Sequence, residues 1–73
     1  MRIVYDPSVD ALSIIFKETT VTTKHVAEGI AIDYDADGLV AGIEVLDVLE
    51  RFGDVSTLER VTFEGVGMMA RAA

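Results

Sequence analysis

The chain has 73 residues, with 13 acids against 6 bases for a net charge of −7, and no cysteine. This length is one domain. The composition excludes disulfides and thiolate metal sites, and it argues against nucleic acid, whose phosphates call for a basic footprint. No stretch approaches the ~18 apolar residues of a membrane span and the start has no apolar signal-peptide segment, so a soluble, cytoplasmic protein is expected.

In chain order, Arg2-Ile3-Val4-Tyr5 reads as a first strand. Asp6-Pro7-Ser8-Val9 is a turn with Asp at its first and Pro at its second position. Asp6 is expected to make an Asx-turn and Asp10 to bond a turn amide. Asp10 to Phe16 forms a second strand, with Leu12, Ile14 and Phe16 on one face and Ala11, Ser13 and Ile15 on the other. Lys17 to Thr20 is a polar break. Val21 to Ala27 is an edge segment kept soluble by Thr22, Thr23, Lys24 and His25.

Residues 33–44, DYDADGLVAGIE, admit two readings. Asp33, Asp35, Asp37, Gly38 and Glu44 match the spacing of an EF-hand calcium loop. That loop needs a helix on each side, whereas the flanks Gly29-Ile30-Ala31-Ile32 and Leu39 to Leu46 are rich in β-branched residues and glycine. The period of two in Ile30, Ile32 and Tyr34 predicts a hairpin, with Asp37-Gly38 as a two-residue type I′ turn. Ala36 then faces Leu39, Tyr34 faces Ala41, Ile32 faces Ile43 and Ile30 faces Val45. A three-residue loop would put Ile30 opposite Glu44 and mix the faces. Asp33, Asp35 and Glu44 fall on the solvent side, with Gly42 opposite Asp33.

Asp47-Val48-Leu49-Glu50 predicts a short helix over 48–52, capped by Asp47 and stopped by Gly53. Ser56-Thr57-Leu58-Glu59 is a second capping-box match, and a short strand is expected near 60–64. Residues 1–64 thus form one β-rich domain and 65–73 a tail whose Met68-Met69 pair frays or packs at an interface. The class is α+β, predominantly antiparallel β: a small β-meander with a short C-terminal helix.

Three boxes in this order resemble a bacterial family known as domain of unknown function 2283: Tyr5-Asp6-Pro7-x-x-Asp10-Ala11-Leu12-x-Ile14, Asp33-Tyr34-Asp35-x-Asp37-Gly38, and Gly42-Ile43-Glu44-Val45-Leu46. The likeness covers roughly residues 1–52. Ser13 departs from the aromatic residue frequent there. The resemblance implies a small β-rich fold without established catalysis. Members are often encoded beside short toxin-like proteins, which implies an antitoxin-like role.

An enzyme needs a nucleophile or a tuned acid–base pair. The chain offers one histidine, His25, in a polar segment, and three serines, Ser8, Ser13 and Ser56. A catalytic site is therefore not expected, and neither is a cofactor. A small-molecule enzyme at a dimer seam, with Asp6, Asp10 and His25 in one pocket, is the last of the alternatives. A calcium or metal domain using Asp33, Asp35, Asp37 and Glu44 is the second. The first is a non-catalytic protein-binding module. Its hydrophobic fraction of 51% becomes about 56% with glycine counted and tyrosine omitted, against roughly 45–50% for ordinary domains. A chain this short buries only about 60% of its unfolded surface, and apolar excess on a small domain marks an interface. A homo-oligomer is expected, with a small basic protein as a further partner for Asp33, Asp35 and Glu44.

Overall fold

The computed structural model describes residues 1–65; the tail containing Met68 and Met69 lies outside them. Five antiparallel strands form one sheet: β1 (Arg2–Asp6), β2 (Ala11–Ile15), β3 (Thr22–Ala27), β4 (Ile30–Tyr34) and β5 (Val40–Val45). A helix α1 (Val48–Phe52) and a 3-10 turn at Val55–Leu58 follow. The class is α+β, predominantly β, as the alternation of apolar residues predicts.

The strands do not lie in chain order. A sequential meander would set β3 beside β2, whereas the sheet runs β1-β2-β5-β4-β3. The reason lies in what each strand can bury. β5 is almost free of charge and carries Ala41 and Gly42, both buried, so it suits the centre. β3 is exposed along its whole length and suits an edge. Residues 16–21 pass the tip end of β5 and β4 to reach it. That path spans three inter-strand spacings, about 14 Å, which six extended residues at about 3.3 Å each cover.

The crossing is fastened to the tip of the β4–β5 hairpin. The carbonyl of Ala41 accepts the N–H groups of Phe16 (2.8 Å) and Lys17 (3.2 Å). The Lys17 ammonium pairs with the Asp35 carboxylate. At the outer end Arg2 pairs with Glu18, both exposed, at 2.9 Å, a contact of little energetic weight.

The hairpin has the predicted far register by a route the alternation does not show. Ile30 faces Val45, Ile32 faces Ile43 and Asp33 faces Gly42. The turn, however, is not type I′. Gly38 alone has positive φ, +81°, and Asp37 does not. Asp35 N–H bonds Leu39 O at 2.8 Å and Gly38 N–H bonds Asp35 O at 3.0 Å. The loop therefore has three residues, Ala36 to Gly38, and Tyr34 faces Val40 instead of Ala41. A bulge at Ala41 then adds one residue to β5 and restores the pairing. Two one-residue offsets cancel, so the faces stay unmixed. The turn is stabilised by Asp35, whose Oδ1 accepts Asp37 N–H and Leu39 N–H, each at 2.9 Å. Asp37 need not enter the left-handed region.

At the opposite end of the sheet, α1 ends at Gly53 (φ +82°), as expected. Its start differs from the expectation. Asp47 is left-handed (φ 55°) and its side chain caps nothing. Asp10, also left-handed at φ 53°, does the capping from the β1–β2 turn. Its backbone carbonyl accepts Val48 N–H at 3.2 Å and its carboxylate accepts Leu49 N–H at 3.1 Å. Tyr5 fixes that carboxylate by donating its hydroxyl at 2.7 Å. So Asp10 bonds helix amides 38 and 39 residues away rather than a neighbouring turn amide. Asp6 behaves as expected, accepting Ser8 N–H at 2.9 Å and the Ser8 hydroxyl at 2.6 Å.

Arg51 completes this end, donating to Leu46 O at 2.8 Å and to Glu28 O. The second capping box is replaced: Asp54 accepts Ser56 N–H at 2.9 Å and heads the 3-10 turn. Residues 60–64 form no strand. Both outer edges of the sheet belong to β1 and β3, and the segment passes alongside β1 and β2, where Val61 and Phe63 line an apolar groove. Among the described residues the buried apolar side chains are Leu12, Ala31, Ala41 and Val48.

Candidate functional site

The pairing sorts the strands into two faces. On one, Tyr5, Leu12, Val45 and Ile30 form one cross-strand row and Ile3, Ile14, Ile43 and Ile32 another, with Lys24 at its end. On the other, Val4, Ser13, Glu44, Ala31 and His25 form one row, and Arg2, Ile15, Gly42, Asp33 and Thr23 the next. The chemistry-bearing groups gather at the β3–β4–β5 end of this second face.

There Asp33 lies opposite Gly42, and a Cβ on Gly42 would sit 3.1 Å from Asp33 Oδ2. The missing side chain is what lets the Asp33 carboxylate lie over β5, next to Glu44. Thr23 holds its other oxygen, donating to Oδ1 at 2.5 Å. Glu44 binds its proton more tightly than an ordinary glutamate. The hydrogen bond with Asp33 is the main cause, followed by partial burial and the Asp33 charge; His25 opposes them. Thr23, Asp33, Glu44 and His25 thus form one polar cluster. Beside it lies a hollow of about 170 Å³ lined by Thr23, His25, Gly29, Ala31, Glu44 and Leu46. Small residues at 29 and 31 create it, and buried Ala31 takes part in its lining.

Asp35 does not share this face. It was expected to point outward with Asp33 and Glu44, but its side chain is only 5% exposed. It bonds two turn amides and Lys17 instead. Those donors, the Lys17 ammonium first, hold its carboxyl below the usual carboxylate range. The reason is the three-residue loop, which turns Asp35 into the residue that closes the hairpin.

The four residues of the EF-hand spacing are not brought to one centre: Asp33 and Glu44 are neighbours, but Asp35 is turned away from them. Strands, not helices, flank them, and Asp35 is committed to the turn. Among the described residues no three His, Cys, Asp or Glu side chains converge as metal ligands. Asp6 and Asp10 sit at the β1–β2 turn, while His25 is on the opposite edge strand, so these three are not brought together.

His25 and Thr23 belong to this cluster, although the sequence pattern marks them only as part of an exposed polar edge. The Glu28-Gly29 turn was the available signal. A tight β3–β4 connection there sets His25 against Ala31 and Thr23 against Asp33.

The family described as protein of unknown function (DUF2283) matches residues 2–48. This span holds all five strands and the start of α1, and the chain belongs to that family. No curated protein and no solved structure matches it. No helix among the described residues is long and apolar enough to cross a membrane.

Proposed function

We propose that this chain is a non-catalytic protein-binding module that self-associates and takes a small basic protein on its polar face, in the manner of an antitoxin. The observation that carries the reading is the Asp33–Glu44 pair, two carboxyl groups held on adjacent strands beside an open hollow, in a chain of net charge −7. A lysine or arginine entering the hollow offsets the repulsion between the two neighbouring carboxyl groups and gains charge-assisted hydrogen bonds. His25 and Thr23 supply further polar contacts at the rim. The wider negative field steers a basic partner toward the face and repels acidic ones. Asp35, bonded to the turn and to Lys17, serves this reading by shaping the hairpin.

Thr23 and Ser13 are the hydroxyl side chains near the cluster; Thr23 donates to a carboxylate, and Ser13 lies opposite Glu44, not beside His25. The test is co-expression with the protein encoded by the adjacent gene, followed by co-purification at low salt. Binding should weaken as salt rises. The Asp33→Asn, Glu44→Gln double variant should lose about 10–100-fold in affinity, the equivalent of one charge-assisted hydrogen bond. No co-purification at low salt, or undiminished binding by the double variant, refutes the reading.

A further inference from the structure

We propose that the apolar face of the sheet is the surface through which two copies of this chain dock, face to face about a two-fold axis. This rests on the self-association in the reading above and is independent of the basic partner.

The two apolar rows cross four strands without interruption. Ile3, Ile14, Ile43 and Ile32 stand side by side, yet the last three, on the three inner strands, are only half-buried. Inner-strand side chains reach full burial when a second layer covers them. Here α1 sits at the sheet's end. The 58–63 segment reaches only the β1–β2 side, where Leu58, Val61 and Phe63 border a groove of about 330 Å³ together with Ile3, Ile14 and Phe16. Val61, Phe63 and Phe16 stay exposed.

Charge selects the occupant. The chain carries 13 acids, but no strand position of this face holds one, and the groove lining has no charged side chain. A basic protein gains nothing here. The one charged strand position on this face is Lys24, on the outer strand β3 at the end of the row, so a second copy meets the rows of the four other strands without like-charge repulsion, and an acid-free apolar patch is self-complementary, as a two-fold interface requires. Size agrees as well. The molecule measures 40 × 28 × 19 Å, so its broad side, the sheet face together with its flanking segments, spans at most on the order of 1,000 Å², which leaves room for the roughly 800 Å² per partner of a stable interface. Two such sheets pack about 10 Å apart as a sandwich. Both polar faces then point outward, and the dimer presents two Asp33–Glu44 sites.

The test is sedimentation equilibrium of the full chain over a range of about 1–500 µM, with Ile3→Lys and Phe63→Glu against the exposed turn variant Val9→Lys. The native chain and Val9→Lys should dimerise, while each face variant weakens dimerisation at least about tenfold, the loss of roughly 1.4 kcal/mol. Methyl spectra of the native chain keep the proposal testable if a variant fails to fold. On dilution the methyls of Ile14, Ile32 and Ile43 should shift, while those of Ile15, on the polar face, stay fixed. A dimer that ignores both face variants, with the Ile15 methyls shifting on dilution, places the interface elsewhere and overturns the inference while leaving self-association intact. A monomer throughout, with the face covered by residues 66–73 of the same chain or by nothing, overturns both.

Discussion

Gly42→Ala is the most informative single substitution, because the structure sets its sign. Gly42 lies on central β5, and an added Cβ would fall 3.0 Å from the Ile14 carbonyl oxygen and 3.1 Å from Asp33 Oδ2. Ile14 belongs to β2, which is paired on both sides, so its carbonyl has little room to retreat. Overpacking of this kind costs about 1–3 kcal/mol. The unfolded chain returns part of that, about 0.4–1 kcal/mol, since alanine has less freedom to lose than glycine. The net loss is about 1–2 kcal/mol, a fall in melting temperature of about 5–15 °C for a domain of this size. The Asp33 carboxylate is the softer neighbour and swings away, so Glu44 loses its hydrogen bond and its proton affinity falls toward that of an ordinary glutamate. Circular dichroism melts give the first quantity, and a carbon-detected NMR titration of the Glu44 carboxyl gives the second. An unchanged or higher melting temperature with an unmoved Glu44 titration would show that the close approach of Asp33 to β5 is not what organises the cluster.

Three further outcomes follow from the same contacts. Glu44 has a folded pKa raised above its ordinary 4.5, so its contribution to stability is complete below that value and is lost as pH rises through the folded pKa. With Asp33, His25, Ser13 and Thr23 the polar groups around it, Glu44→Gln keeps a donor toward Asp33 at every pH. Urea denaturation from pH 4 to 7 should show the native chain losing stability relative to this variant, and parallel curves would contradict the coupling of Glu44 to Asp33. Asp35 has the opposite sign: its pKa lies below the ordinary 3.8, so its contribution is present above that value and disappears as pH falls through the folded pKa. Asp35→Ala should therefore lower the melting temperature more at pH 7 than at pH 3; equal effects at both would mean the charge is irrelevant to the turn. Val48, with no exposed surface, anchors α1 beside Asp10, and Val48→Ala should cost about 2–3 kcal/mol from two lost methylene-sized groups and the remaining cavity, read as a lower urea midpoint at constant slope.

What the amino-acid order alone determined is local. The alternation of Ile30, Ile32 and Tyr34 with Ala31 and Asp33 fixed which side chains share a face. Asp6-Pro7, Glu28-Gly29 and Gly53 marked where the chain turns or a helix stops, because backbone sterics act over a few residues. The pairing of aspartates with glycine at the hairpin tip was legible as a turn, though not its three-residue form, since the compensating bulge at Ala41 leaves the far register unchanged. Only the tertiary structure decided which faces meet which neighbours. A period of two says nothing about strand order, so β5's place beside β2, the reach of Asp10 to Leu49, and the tie from Lys17 to Asp35 were invisible in the sequence. The polar cluster has the same origin. Thr23, Asp33, Glu44 and His25 come from three strands, and their proximity is a consequence of long-range pairing together with the absence of a side chain at Gly42.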